Sequence, residues 1–185
     1  MLKRILLVAL AIVALFFVYV ATQPSTFRVE RSAIIVAPSD VVFGQINNFH
    51  NWDAWSPWAK LDPNAKMTFE GPEAGKGAVV RWAGNSEVGE GSMTVLDSTP
   101  NDHIKIRVAF EKPWASVSDS EFMIRPDGPR TVVTWVMSGD MGFFEKAMCV
   151  FVNGQKMIGA QFEKGLANLK KVAEGKSAPA EPGPT

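Results

Sequence analysis

The chain has 185 residues, of which 46% are hydrophobic and 21% are charged, as in an ordinary globular protein. Nineteen Lys and Arg balance nineteen Asp and Glu, so the chain lacks the basic excess that is typical of nucleic-acid-binding proteins. The single cysteine, Cys149, excludes an intramolecular disulfide and a metal site built from several cysteines. Six Trp and twelve Phe provide much apolar surface, to be buried in a core or around an apolar ligand.

The N-terminal segment is predicted to be a membrane helix. Residues 5–21 contain no charged side chain and would form a helix of about 25 Å, slightly shorter than the ~30 Å hydrocarbon core of a bilayer. Lys3 and Arg4 precede this segment, so the positive-inside rule predicts a cytoplasmic N terminus and an extracytoplasmic domain. The alternative is a cleaved signal peptide, but cleavage after Ala21 would place Tyr19 where a small residue is preferred.

The next part of the chain reads as a strand followed by a short helix. Residues 27–36 are rich in branched side chains and are soon followed by Pro38, which predicts a strand with a defined end. Pro, Ser and Asp at residues 38–40 are typical of a helix start, and the apolar residues after them recur at helical spacing up to Phe49. Residues 51–58 (NWDAWSPW) are turn-rich.

Six further strands are predicted at hairpin spacing. They cover residues 67–70, 78–82, 88–96, 104–110, 115–125 and 131–137. The clearest pattern is that of residues 104–110, where apolar side chains alternate with Lys105 and Arg107, as expected for a half-buried antiparallel strand. The last two strands are predicted to form a hairpin with one continuous apolar face.

After Gly139 the apolar residues recur every three or four positions, which predicts one apolar stripe on a long helix. The stripe comprises Met141, Phe144, Met148, Phe151, Ile158, Phe162, Leu166, Leu169 and Val172. Gly154, Gly159 and Gly165 interrupt it, and they mark either a break or a close approach of another segment. Residues 175–185 are rich in Pro, Ala and Gly, which predicts a disordered tail.

Together these elements predict an α+β fold, with a seven-stranded antiparallel sheet wrapped around the C-terminal helix. The apolar sheet face and the apolar helix stripe cover each other because neither is suited to water. The predicted domain organisation is a membrane anchor at residues 1–24, a folded domain at residues 25–174 and a tail at residues 175–185.

Four sequence runs resemble the START-like polyketide cyclase/dehydrase (SRPBCC) superfamily, and its membrane-tethered bacterial members in particular. They are NFxxWxxWSPW at residues 48–58, GEGSMT at 89–94, TWxMSG at 134–139 and FEKGLxxLK at 162–170. The resemblance extends over about residues 25–173. It implies a helix-grip fold with a cavity between the sheet and the long helix, which the superfamily uses for lipids, sterols, polyketides and other apolar molecules.

The residues expected to line this cavity are apolar or small polar side chains of the sheet and the C-terminal helix. They are Trp82, Ser118, Ser120, Phe122, Ile124, Val133, Trp135, Met137, Met148, Phe151, Ile158 and Phe162. Trp52, Trp55 and Trp58 either form the cavity mouth or pack as a plug below the sheet. Glu90 is a polar anchor or a general base if its strand face turns inward, and otherwise a solvated side chain.

The predicted function is a membrane-anchored binding module for a small hydrophobic or amphipathic ligand, either lipid-like or polyketide-like. It is placed in the bacterial inner membrane as a single-pass protein, with no nucleic-acid partner. No recognisable catalytic or metal-binding motif occurs in the sequence, so no catalytic residue, cofactor or metal is predicted. The alternatives are a cyclase- or dehydratase-like enzyme acting on such a ligand, and a ligand-free interaction domain of a membrane complex.

Overall fold

The computed structural model describes residues 1–152 and 154–177. The described chain begins with helix α1 (Leu2–Thr22), strand β1 (Thr26–Ile35), helix α2 (Ser39–Asn47) and a 3₁₀ helix (Phe49–Ala54). Six strands follow: β2 (Lys66–Glu70), β3 (Val79–Ala83), β4 (Glu90–Thr99), β5 (His103–Lys112), β6 (Ser116–Asp127) and β7 (Arg130–Asp140). Helices α3 (Phe143–Phe151) and α4 (Gly154–Ser177) come last. This order confirms the predicted α+β class.

Within the described chain, the seven strands form one antiparallel sheet in the order β1-β7-β6-β5-β4-β3-β2. Strands β2 to β7 are joined as successive hairpins, and β1 adds to the free edge of β7. Phe122 lies opposite Trp135 and Ile124 lies opposite Val133, so the last hairpin carries the continuous apolar face that its alternation predicts.

Helix α4 lies across the inner face of the sheet, over β1 and β7. Its buried side chains follow helical spacing and are Phe162, Leu166, Leu169 and Ala173. Polar contacts fix it to β1, because Arg31 Nε lies 2.6 Å from Glu163 Oε1 and Lys170 Nζ donates to the Ile34 carbonyl at 2.9 Å. The sheet therefore grips its C-terminal helix, as expected of a helix-grip fold.

The long C-terminal helix is divided into two at Gly154, one of the three glycines that the sequence marks as a break or a close approach. Helix α3 ends at Phe151, Val152 has an extended backbone, and α4 begins at Gly154. The expectation that Met148 and Phe151 lie opposite the sheet is wrong, because they are 41% and 75% exposed on α3. Because the backbone is extended between the two helices, α3 does not continue along the axis of α4. The apolar residues of the two helices therefore face different surroundings.

Helix α1 is long and apolar enough to cross a membrane, although a signal sequence has the same character. Three residues, 23–25, connect it to β1. We call the end of the sheet at which β1 begins the near end, and the opposite end the far end. At the C terminus, α4 continues to Ser177, into the segment predicted as a tail, whereas residues 178–185 lie outside the described residues.

Candidate functional site

Aromatic rings fill the centre of the space between the sheet and α4. Trp135 of β7 stacks on Phe162 of α4 with ring centroids 4.0 Å apart, and Phe122 stacks on Trp135 at 4.8 Å. Trp52 and Trp55 approach these rings edge-on, at centroid distances of 5.8 to 6.5 Å. This aromatic cluster is closely packed, and it occupies the region in which the sequence predicts a cavity.

The indole N–H groups of this cluster are hydrogen-bonded within the protein. Trp52 Nε1 donates to the Ile46 carbonyl at 2.8 Å, and Trp55 Nε1 donates to the Gln45 carbonyl at 3.1 Å. Both acceptors lie in α2, so these two tryptophans hold α2 and the 3₁₀ helix against the sheet. Trp58 is half-buried, and its ring contacts Trp135 and Phe162 edge-on. Two of the three candidate mouth residues therefore lie inside, and the third lies at the margin.

The small polar groups predicted for the cavity do face the interior. Ser118 and Ser120 are buried on the inner face of β6. Ser120 Oγ accepts a hydrogen bond from Trp135 Nε1 at 2.9 Å, so this serine is already engaged in the aromatic cluster. Ser118 is closer to the near end, and the lack of a side chain on Gly139 lets the Ser118 hydroxyl and the Phe27 ring pack closely against that glycine.

The sheet is most fully buried at the far end, and its inner apolar side chains are more exposed toward the near end. At the far end, Ile104, Ile124 and Val133 are at most 1% exposed. Toward the near end, the inner face and α4 carry half-buried apolar side chains, namely Phe27, Trp82, Met93, Phe110, Met137 and Ile158. We call this set the near-end rim. It combines the predicted lining residues Trp82, Met137 and Ile158 with Met93 and with two residues that the sequence alone did not single out as ligand contacts, Phe27 and Phe110.

Glu90 lies outside the interior. The strand pairing sets Gly91 opposite Trp82 on the inner face, so Glu90 points outward, and its carboxylate pairs with Lys112 Nζ at 3.0 Å. Two further acids of the sheet, Asp119 and Glu121, both bind Lys105 on the outer face. The hydrogen bond to Asp119, followed by that to Glu121, raises the pKa of Lys105 above its ordinary value of 10.5. These charges stabilise the outer sheet surface and do not form a site for acid–base chemistry in the interior.

Two hollows lie outside the predicted cavity. One, of about 270 Å³, lies between the 3₁₀ helix and β2 and includes His50, whose ring stacks on Phe69 at 3.9 Å. The other, of about 470 Å³, lies where the linker between α1 and β1 meets α3 and the start of α4, and it is lined by Pro24, Lys146 and Phe151 among others. Among the described residues, no group of three His, Cys, Asp or Glu side chains is placed to hold a metal ion.

The fold is shared with solved structures of low sequence identity. A protein from Nitrosospira multiformis is 19% identical with a TM-score of 0.60, over 82% of this chain and 99% of that one. The Aha1 protein of Colwellia psychrerythraea, solved as a dimer, is 15% identical with a TM-score of 0.58, over 80% and 96% of the two chains. Major latex-like protein 151 from Panax ginseng is 14% identical with a TM-score of 0.55, over 84% and 100%.

No curated protein matches the sequence significantly. The family described as polyketide cyclase / dehydrase and lipid transport matches residues 26–174, from the first residue of β1 to the last turn of α4. The match includes the whole sheet, the aromatic cluster and both C-terminal helices. The chain therefore belongs to the polyketide cyclase / dehydrase and lipid transport family, as the resemblance of its sequence runs indicates.

Proposed function

We propose that the protein is a membrane-anchored module that binds a small hydrophobic or amphipathic molecule between the near end of the sheet and α4. The observation that carries the proposal is the near-end rim, in which six large apolar side chains remain half-buried, whereas Ile104, Ile124 and Val133 at the far end of the sheet are buried. Ligand sites are mostly apolar with a few polar groups, and Ser118 supplies a buried hydroxyl beside this rim. The membership in a family associated with lipid transport supports the same class of ligand.

The anchor is part of this proposal. Helix α1 has 21 residues, and its uncharged part, residues 5–22, corresponds to about 27 Å, close to the ~30 Å thickness of a hydrocarbon core. Lys3 and Arg4 at its start favour a cytoplasmic N terminus and an extracytoplasmic domain in a bacterial inner membrane. Of two reporter enzymes fused after Thr185, the one that is active only outside the cytoplasm should show activity, and the one that is active only in the cytoplasm should not. Activity of a cytoplasm-specific reporter at that position would contradict the topology.

Photo-crosslinking of the full-length chain in lipid nanodiscs tests the binding site directly. The probe is a fatty acid with a diazirine in its acyl chain, and adducts are mapped by peptide mass spectrometry. Adducts are expected on Met93, Phe110 and Met137 in addition to those on α1. If all adducts lie on α1 and α3, the domain does not take up the probe.

Two matched variants sharpen this test. Met93→Trp enlarges a side chain of the near-end rim and should reduce the adducts on Phe110 and Met137 severalfold. Thr94→Trp adds the same side chain to the opposite face of β4 and should leave these adducts unchanged, because side chains of successive strand residues point to opposite faces.

The aromatic cluster favours a second candidate, a domain that binds no small molecule and acts through contacts with other proteins. Its support is that Trp55, Phe122 and Phe162 are at most 1% exposed, so the centre of the interior is filled. This candidate predicts that the crosslinking probe leaves the sheet unlabelled in the wild type and in both variants.

A further inference from the structure

Helix α3 carries an exposed apolar surface. Phe144, Met148 and Phe151 are 54%, 41% and 75% exposed, and they follow one another at spacings of four and three residues. Trp114, in the turn between β5 and β6, is 61% exposed and lies beside Phe144 with ring centroids 5.7 Å apart. Contiguous apolar surface of this kind marks a site of interaction with another apolar body. We call these four residues the α3 surface.

The position of α3 is set by contacts with α1. Phe143 stacks on Phe17 with ring centroids 5.4 Å apart and an angle of 11°, and Phe151 contacts Phe16 at 5.8 Å. Both ends of α3 therefore pack against the C-terminal part of the candidate membrane helix. The ring contacts place α3 at the depth of Phe16 and Phe17 in any bilayer that α1 crosses.

The link between α1 and the domain is short and fixed. Only residues 23–25 connect α1 to β1. The Ser25 carbonyl accepts a hydrogen bond from the Met141 backbone N–H at 2.7 Å, and Ser25 Oγ accepts one from Lys146 Nζ at 2.8 Å. These contacts tie the linker to the segment that leads into α3, so the near end of the domain is held directly at the end of α1.

The depth of α3 matches that of a helix at the membrane interface. Phe17 precedes Thr22, the last residue of α1, by five positions, which corresponds to about 7–8 Å along the helix axis. Helices that lie in the interface bury their apolar face by about 5–10 Å at the boundary between headgroups and acyl chains. Tryptophan is enriched at the same depth, and Trp114 lies at the edge of the α3 surface.

The charged groups of α3 are compatible with this position because they are bonded to protein atoms. The Glu145 carboxylate accepts a hydrogen bond from the Gly142 backbone N–H at the start of the helix. Lys146 donates to Ser25 Oγ, toward the linker. Both side chains are half-buried, whereas the exposed side of α3 presents Phe144, Met148 and Phe151.

We infer that the α3 surface is embedded in the headgroup–acyl interface of the bilayer that α1 spans, so that the near-end rim faces lipid. The start of α3 lies at the near end of the sheet, because Lys146 bonds to Ser25 in the β1 linker and Phe144 contacts Trp114 in the β5–β6 turn. An apolar molecule would then pass between the membrane and the interior without crossing water. The inference rests on the proposed membrane anchor, and it concerns the extracytoplasmic leaflet of the bilayer.

Site-directed spin labelling of the full-length chain in nanodiscs of phosphatidylcholine and phosphatidylglycerol tests this inference. All variants carry Cys149→Ala, which removes the native cysteine. Labels are placed through Val13→Cys in α1, Met148→Cys in the α3 surface and Asp102→Cys in the far-end turn between β4 and β5. Collision rates with oxygen, which concentrates in lipid, are compared with those of a water-soluble nickel chelate. Thermal unfolding of each variant checks that the domain remains folded.

The labels at residues 13 and 148 should show high oxygen and low nickel collision rates, and the label at residue 102 should show the reverse. A lipid-like label at residue 13 with a water-exposed label at residue 148 would overturn the inference and leave the anchor intact. Low collision rates with both reagents at residue 148 would also overturn it, because a protein partner or a second copy would then cover the α3 surface. A water-exposed label at residue 13 would overturn both the anchor and the inference.

Discussion

The indole of Trp135 and the ring of Phe162 lie nearly parallel, with an angle of 6° between them and centroids 4.0 Å apart. One ring comes from β7 and the other from α4, so this stack is a direct contact between the sheet and the helix that it grips. Trp135 is 2% exposed and Phe162 is 1% exposed. The pair therefore belongs to the packed centre of the domain, and a ligand is expected at its near-end margin.

Replacement of Trp135 should destabilise the domain strongly. Truncation of a buried Trp to Ala removes its apolar contacts and leaves a cavity, at a cost of about 3–5 kcal/mol in the free energy of unfolding. Trp114→Ala is the matched control, since Trp114 is exposed and its loss should change the free energy by at most about 0.5 kcal/mol. The stability of both full-length variants is measured in detergent by thermal unfolding, with near-ultraviolet circular dichroism as the signal. Similar melting temperatures for the two variants would show that Trp135 is not a core residue.

The hydroxyl of Ser120 should be needed for stability, although serine is a small side chain. Ser120→Ala removes the acceptor of the Trp135 indole N–H and leaves that donor buried, which typically costs about 1–3 kcal/mol. Ser92→Ala, on the outer face of β4, is the control and should be close to neutral. The same unfolding measurement applies. A Ser120→Ala variant as stable as the wild type would mean that the indole finds another acceptor or water.

Strand periodicity was sufficient to predict the sheet. The alternation in residues 104–110 and in the last hairpin reflects one buried face and one solvated face, and the structure has the same alternation. The aromatic cluster was harder to predict. A tryptophan in a core and a tryptophan at a cavity mouth have the same sequence signal, and only the burial of Trp52 and Trp55 separates them.

The C-terminal helices show why the remainder of the site could not be predicted. Met148 and Phe151 fit the same helical stripe as Phe162 and Leu166, because packing on another helix and packing on a sheet both select apolar residues at this spacing. Phe151 contacts Phe16 of α1, more than a hundred residues away in the sequence, and Met148 is exposed. Contacts at such separation leave no periodic signal, and the role of Gly154 as a break depends on them.

The glycines of α4 should respond to substitution with opposite signs. A Cβ on Gly165 would lie 2.8 Å from the Trp135 ring and 3.0 Å from Pro57, so Gly165→Ala should force the aromatic cluster apart and lower the melting temperature. Gly175 has no atom within 4 Å of the corresponding position, so Gly175→Ala should stabilise α4 by up to about 1 kcal/mol through helix propensity. Thermal unfolding of the two variants distinguishes a glycine that is needed for close packing against Trp135 from one that only weakens the helix. An equal gain in both would show that α4 does not approach Trp135 closely.

The contact between Glu174 and the end of β1 should make stability depend on pH. The Glu174 carboxylate accepts a hydrogen bond from the Val36 backbone N–H at 2.8 Å and pairs with Lys170 at 3.3 Å. The bond from Val36, with a smaller effect of Lys170, lowers the pKa of Glu174 below its ordinary value of 4.5. A carboxyl group with a lowered pKa in the folded state stabilises that state above its unfolded pKa, and the contribution is lost as pH falls through the folded pKa.

Glu174→Gln should therefore lower the melting temperature near neutral pH, and the difference from the wild type should shrink as pH falls below about 4.5, the ordinary Glu value. The substitution retains the shape of the side chain and an acceptor oxygen, so it isolates the effect of the charge. Glu87→Gln, in the exposed turn between β3 and β4, is the matched control for the loss of one negative charge. Melting temperatures of the three proteins across the acidic range provide the comparison. A difference that persists unchanged at low pH would mean that Glu174 acts through packing and not through its charged hydrogen bond, because protonation would then have no effect on its contribution.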